Sequence, residues 1–148
     1  MYRLIALMCW MVLGAGLAPV LAQPASDDKT LQGTWTATRA ERDGKAAEDV
    51  VGNRLSFSSN RFQIQSKDGK RLYAGTVTID PSVKPRVIDF QHTEGSSKGT
   101  VWKGIYAIDG DTLTICDNAP DLGKSRPAAF EAKSGSGYVL VTFKRAKP

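Results

Sequence analysis

Short runs of alternating apolar and polar residues dominate the chain from Leu31 onward, and residues that favour turns separate them. Such alternation is typical of strands with one buried face, because successive side chains of a strand point to opposite sides. Asp68-Gly69 and Asp109-Gly110 are dipeptides that favour tight hairpins. The pattern predicts nine strands, over 34–40, 54–58, 61–66, 71–79, 86–91, 100–108, 112–116, 128–133 and 138–145.

Consecutive strands joined by such short turns run antiparallel, and an open sheet of them exposes two edges. A single up-and-down β-barrel of about eight or nine strands removes both edges, so we predict this all-β architecture for residues 31–146. A two-sheet sandwich is the alternative, but the chain lacks the Cys…Trp…Cys spacing of immunoglobulin domains. Only residues 46–51, after the first strand, could make a turn or two of helix.

The first 22 residues have the features of a cleavable export signal. Arg3 supplies a positive charge, residues 4–17 are apolar, and Val20-Leu21-Ala22 provides a cleavage site. The apolar run is short for a bilayer-spanning helix, so we predict no membrane anchor and a periplasmic or secreted protein. Residues 23–30 are expected to form a flexible linker before the barrel.

Composition narrows the classes of function. Cleavage removes Cys9 and leaves Cys116, whose place at the end of an apolar strand predicts a buried lone thiol. The chain has a formal net charge of +5 at pH 7, but its Lys and Arg residues are scattered. A nucleic-acid-binding protein would gather these residues into a stripe, so we predict no nucleic-acid partner.

Candidate catalytic and metal-binding residues are few. His92 is the only histidine, and its place at the end of strand 86–91 predicts an exposed position at a loop edge. No oriented partner or activated nucleophile accompanies it, and with Cys116 it supplies too few ligands for zinc. Residues 109–111 and 116–121 are oxygen-rich but lack the spacing of a calcium loop and are expected to be solvated turns. We therefore predict no catalytic residues, no metal and no cofactor, and a protein that is not an enzyme.

The two ends of the chain carry a recognisable pattern. Gly33 and Trp35 open the first strand in LQGTW, and Arg145 closes the last strand in VTFKR. First and last strands are neighbours in a closed barrel, so Arg145 can lie across the indole of Trp35. This arrangement is similar to that of lipocalins and related calycin barrels. Together with GIYAIDGDTLTIC, KPRVIDF, RPAAF and GSGYVLVTFKR, these motifs resemble a lipocalin-like family of small exported domains found mostly in planctomycete bacteria. The resemblance implies a β-barrel and export, and it carries over no activity and no catalytic residues.

Alternation also assigns side chains to the barrel interior. Gly75 and Gly104 fall on this inward face, where they either open a cavity or mark bulges in the sheet. The inward set is Leu55, Phe57, Phe62, Ile64, Tyr73, Val77, Ile79, Trp102, Tyr106, Ile108, Leu113, Ile115, Phe130, Val139, Val141 and Phe143.

Three inward residues suggest a binding site. Tyr73, Trp102 and Tyr106 each join an apolar body to a polar tip, which suits the wall of a ligand pocket. With Phe57 and Val77 they form the predicted interior site for a small apolar or amphipathic ligand. The alternative is a barrel with a packed core that binds a protein or envelope partner through loops 80–86 and 117–127.

Overall fold

The computed structural model describes residues 26–148, so the predicted signal peptide, 1–22, lies outside the described residues. No helix in 26–148 is both long and apolar enough to cross a membrane. The elements in chain order are α1 (Asp27–Leu31), β1 (Gly33–Arg42), β2 (Lys45–Ala46), β3 (Arg54–Ser58), β4 (Arg61–Gln65), β5 (Arg71–Asp80), β6 (Arg86–Gly95), β7 (Val101–Asp109), β8 (Thr112–Asp117) and β9 (Val139–Arg145).

The sheet closes on itself through its first strand. Residues 33–36 of β1 pair with β3, residues 35–42 pair with β9, and the other strands pair antiparallel in chain order. A register shift between Ala37 and Arg39 bends β1 between these two partners. Eight strands, β1 and β3 to β9, thus form a closed barrel, and β2 adds two residues beside β1. The predicted up-and-down barrel and the pairing of its first and last strands are confirmed.

The interior is packed much as the alternation predicts. Fifteen of the sixteen inward candidates belong to the hydrophobic core or pack against it, and Phe130 is the exception. The inward glycines do not enlarge the interior. A Cβ on Gly75 would lie 1.8 Å from the carbonyl oxygen of Gln91, at a bulge between β5 and β6. A Cβ on Gly104 would lie 2.8 Å from the carbonyl oxygen of Cys116. Both glycines therefore allow close approach of neighbouring strands.

One predicted strand is wrong. Residues 128–133 belong to a long connection, 118–138, whose part from Arg126 onward lies against the outer face of the barrel. Arg126 fastens it there, because its Nη1 donates to the carbonyl oxygens of Ile88 and Gly104 at 3.2 and 2.8 Å. The connection buries Ile105 and Cys116, whose side chains alternate away from the interior. The prediction that Cys116 is buried is confirmed.

The segment after the first strand contains no helix. The sequence allowed a turn or two of helix over 46–51, but residues 48–52 form turns, and Lys45–Ala46 pair with β1 as strand β2. This connection still brings Ala47 into the core.

The two ends of the barrel are built differently. Because successive strands alternate in direction, α1 and the turns 59–60, 81–85 and 110–111 meet at one end, here called the closed end. The connections 43–53, 66–70, 96–100 and 118–138 meet at the opposite, open end. Helix α1 lies across the closed end, where the indole Nε1 of Trp35 donates to the carbonyl oxygen of Leu31 at 2.9 Å. Residues 27–30, assigned to a linker from the sequence, are therefore part of the folded barrel.

Gly33, Trp35 and Arg145 close the barrel as predicted. Trp35 is fully buried, and the guanidinium carbon Cζ of Arg145 lies 4.1 Å from the centroid of its ring. The same guanidinium donates to the carbonyl oxygens of Thr30 and Gln32 at 2.8 and 3.0 Å. Gly33 has a φ of 105°, which disfavours any residue with a side chain. These contacts join the first strand, the last strand and α1.

Candidate functional site

A cavity of about 340 Å³ lies at the open end of the barrel. Its volume is near the lower limit of ordinary ligand pockets, about 300–1,000 Å³. Inward side chains from seven strands, β3 to β9, form its apolar wall, including Leu55, Tyr73, Phe90, Trp102, Val141 and Phe143. A cavity with an apolar wall is thus present at the open end of the barrel.

Charged groups surround the mouth of this cavity. Arg42 donates to both carboxylate oxygens of Asp49 at 2.8 and 3.3 Å, and these hydrogen bonds lower the pKa of Asp49 below 3.8. Arg54, Asn53 and Ser97 also line the cavity. An apolar interior with a polar mouth suits an amphipathic molecule.

The structure separates the five predicted ligand-binding residues. Tyr73 and Trp102 line the cavity, with their ring centroids 4.9 Å apart in an edge-to-face arrangement. Phe57 and Val77 line a different hollow of about 490 Å³, beside α1 at the closed end. Tyr106 lines neither of these two spaces.

Tyr106 instead holds helix α1 in place. It is 1 % exposed, and its hydroxyl donates to the Asp27 carboxylate at 2.7 Å. Burial, together with this hydrogen bond, raises the pKa of Tyr106 above 10.0. The polar tip that suggested a ligand contact from the sequence is used within the fold.

The predicted exposed position of His92 is wrong, because His92 is only 1 % exposed. Strand β6 extends to Gly95 instead of ending at Gln91, so the inward alternation of Ile88 and Phe90 continues to His92. The imidazole lies among three aromatic rings, with centroid distances of 5.1, 5.7 and 4.1 Å to Phe62, Tyr73 and Trp102. Two of these, Tyr73 and Trp102, line the cavity.

Neither ring nitrogen of His92 has a hydrogen-bond partner among residues 26–148. Desolvation by burial lowers the pKa of His92 below 6.5, and it outweighs the opposite effect of the nearby backbone groups of Thr100 and Phe90, so the imidazole is neutral at pH 7. An unpaired buried polar group costs about 1–3 kcal/mol, and contacts with aromatic faces offset only part of that cost. Buried polar groups are nearly always paired, so this unpaired histidine beside a cavity is an exception to the rule.

Asp117 is a second buried polar group that the sequence analysis missed. The prediction of a solvated turn over 116–121 is wrong here, because Asp117 is 6 % exposed and lines the cavity. Its Oδ1 accepts a hydrogen bond from the backbone of Ala119 at 2.9 Å. Gly104, directly opposite on β7, leaves room for the side chain, since a Cβ there would lie 3.0 Å from that of Asp117. Burial raises the pKa of Asp117 to about 7. The sequence contained a signal for this burial, because Asp117 follows Leu113 and Ile115 on the inward face of the same strand.

No group of three or more His, Cys, Asp or Glu side chains in the described chain is arranged to hold a metal ion. No family model, curated protein or solved structure matches the chain. Fold and site together define a closed antiparallel β-barrel with a cavity at one end. The resemblance to lipocalin-like exported domains stays a prediction from sequence motifs, so function has to be inferred from the cavity.

Proposed function

We propose that the protein is an exported binding protein that holds a small amphipathic molecule in the cavity at the open end of the barrel. The observation that carries this proposal is the cavity itself, whose walls are apolar and whose mouth carries charged and polar groups. Its volume of about 340 Å³ suits a compact ligand with one ring or a short chain. No catalytic step is part of the proposal.

Two buried polar groups add support. Neither nitrogen of His92 has a hydrogen-bond partner among the described residues, and the Asp117 carboxylate accepts one hydrogen bond, so each lowers stability relative to a residue that needs no partner. Costs of this kind are commonly retained at binding sites, because they become favourable when a ligand supplies the missing partner. Both groups lie in the open half of the barrel, close to the cavity wall.

The alternative, a module that binds a partner through loops 80–86 and 117–127, has less support. The first of these loops lies at the closed end and the second begins at the open end. Each exposes one large apolar side chain, Val83 at 41 % and Leu122 at 45 %. Isolated exposed apolar residues are common on soluble proteins, and these two do not share a surface.

Fluorescence of Trp102 tests the binding proposal, because this indole lines the cavity. We expect saturable quenching or a spectral shift with members of a panel of short fatty acids, aromatic acids, alcohols and amines. A Trp102→Phe variant gives the signal of the remaining tryptophans for subtraction. Ala119→Phe places bulk at the cavity wall without adding an indole and should abolish the response, whereas Thr78→Phe, on the exposed outer face of β5, should preserve it. No saturable response from any compound, or an equal response in Ala119→Phe, would contradict the proposal.

A further inference from the structure

Resting on the proposed function, we infer that the ligand is a small organic amine whose ammonium group binds the Asp117 carboxylate while its apolar body lies against the aromatic wall of the cavity. The inference names the ligand class of the same site and the residue that recognises it.

Asp117 has unused capacity to bind a cation. Among the described residues no Lys, Arg or His lies at ion-pair distance from its carboxylate, and its one hydrogen bond comes from the backbone of Ala119. A buried carboxylate with a single donor is poorly solvated, and a cation that enters the cavity would compensate the lost hydration. A hydrogen bond between two charged groups is about twice as strong as one between neutral groups.

The walls suit the rest of such a ligand. Tyr73, Phe90, Trp102 and Phe143 bring four aromatic rings to one cavity. Aromatic faces attract an ammonium group and also pack well against a hydrocarbon body. His92, held neutral behind Tyr73 and Trp102, adds no positive charge that would repel a cation.

An anionic ligand fits less well, because the two cations of the cavity are placed unfavourably. Arg42 is already paired with both oxygens of Asp49. Arg54 alternates away from the inward residue Leu55, and its Nη2 lies 3.8 Å from the Cβ position of Gly69, in the turn 66–70. Among the charged residues that line the cavity, only Asp117 is buried.

Three probes of similar size and different charge test the inference: phenethylamine, phenethyl alcohol and hydrocinnamate. We expect the wild-type protein to bind phenethylamine most tightly, by about tenfold over the alcohol, which corresponds to about 1.4 kcal/mol. Asp117→Asn should remove that preference and leave the affinity for the alcohol within about twofold. Asp109→Asn is the matched control, because Asp109 is an exposed carboxylate at the closed end of β7, and this variant should keep the preference for the amine.

The pH dependence provides a second measurement in the wild-type protein. Because the pKa of Asp117 is about 7, affinity for phenethylamine should rise as the pH increases through that value and the carboxylate forms. The other charged groups that line the cavity are Arg42, Asp49 and Arg54, and the lowered pKa of Asp49 keeps its carboxylate ionised over this range. A pH-independent affinity for the amine overturns the inference even if Asp117→Asn fails to fold.

The outcomes separate the two proposals. If the alcohol or hydrocinnamate binds as tightly as the amine, the amine inference fails and the binding function survives. If none of the three probes binds and the wider panel also gives no response, both proposals fail. Binding of the amine that is unchanged in a folded Asp117→Asn variant assigns recognition to another group and overturns the inference.

Discussion

The closed end and the open end of this barrel treat buried polar groups in opposite ways. At the closed end Trp35, Tyr106 and Arg145 are all bonded to residues of helix α1 or of the segment that follows it. In the open half, both nitrogens of His92 lack a partner, and Asp117 has one backbone donor. The same chain therefore satisfies polar groups fully at one end and incompletely at the other.

This difference indicates that the closed end mainly stabilises the fold, whereas the open end is the part suited to binding. Hydrogen bonds and an aromatic–cation contact at the closed end hold the first strand, the last strand and α1 together. At the open end, the cavity lies beside an unpaired imidazole and a carboxylate with one donor, and both lower the free energy of unfolding. Such a division is expected where a ligand completes the polar contacts of a site, because the empty site is then less stable than it could be.

The largest effect should come from removing the indole at the closed end. Trp35→Ala deletes the largest fully buried side chain and should lower the free energy of unfolding by about 3–5 kcal/mol. Urea unfolding followed by circular dichroism measures the loss. Trp102→Ala is the matched control at the open end, and it should cost less because Trp102 is only partly buried and borders a cavity. Equal losses from the two substitutions would remove the contrast between the ends.

His92 should respond in the opposite direction. His92→Phe replaces an unpaired imidazole by a ring without polar atoms, so we expect the free energy of unfolding to rise by about 1–3 kcal/mol. His92→Leu is a second variant of different shape, which separates the removal of polar atoms from any overpacking. If both variants are less stable than the wild type, His92 has a partner in solution and the open half is fully satisfied.

The pH dependence of the same variants gives an independent check. The folded-state pKa of His92 is lowered, so the unfolded chain takes up a proton near pH 6.5 that the folded protein resists. Stability therefore falls as the pH drops below that value, and the advantage of His92→Phe should grow between about pH 7 and pH 5. Asp117, whose pKa is raised, works the other way, with stability lost as the pH rises toward 7. Its contribution is common to both proteins and cancels in their difference.

The barrel could be predicted from the sequence because its strands follow local rules. Alternation and short turns define six neighbouring pairs of strands, from β1–β3 to β7–β8, and Trp35 with Arg145 indicates how the ends meet. The strand predicted over 128–133 is wrong because these residues alternate as a strand does, whereas in the structure they cover a patch on the outside of the barrel. Ile105 and Cys116, apolar residues on an otherwise polar face, were the signal that something covers β7 and β8.

The site was harder to predict, since it depends on where strands end. Tyr73, Trp102 and Tyr106 share the same alternation, and only their level along the barrel separates the cavity from the closed end. The position of a residue along the barrel axis depends on how neighbouring strands are staggered, and the alternation within one strand carries no information on that stagger. The burial of His92 was not predicted because the polar residues around it resemble a turn. In the structure, pairing with β5 extends β6 to Gly95.

Tyr106 gives the smallest of the expected effects and tests whether α1 belongs to the closed end. Tyr106→Phe removes the hydrogen bond to Asp27 without changing the ring, and we expect a loss of about 1 kcal/mol in the free energy of unfolding. The loss is limited because Asp27 keeps the Arg86 guanidinium at 3.4 Å. Tyr138→Phe is the matched control, since its exposed hydroxyl donates to the carbonyl oxygen of Ser125 in the outer connection and should matter little. Hydrogen exchange in 27–31 should accelerate in Tyr106→Phe alone; unchanged protection there would mean that Trp35 and Arg145 suffice to hold the helix, and that the hydroxyl of Tyr106 adds nothing to the closed end.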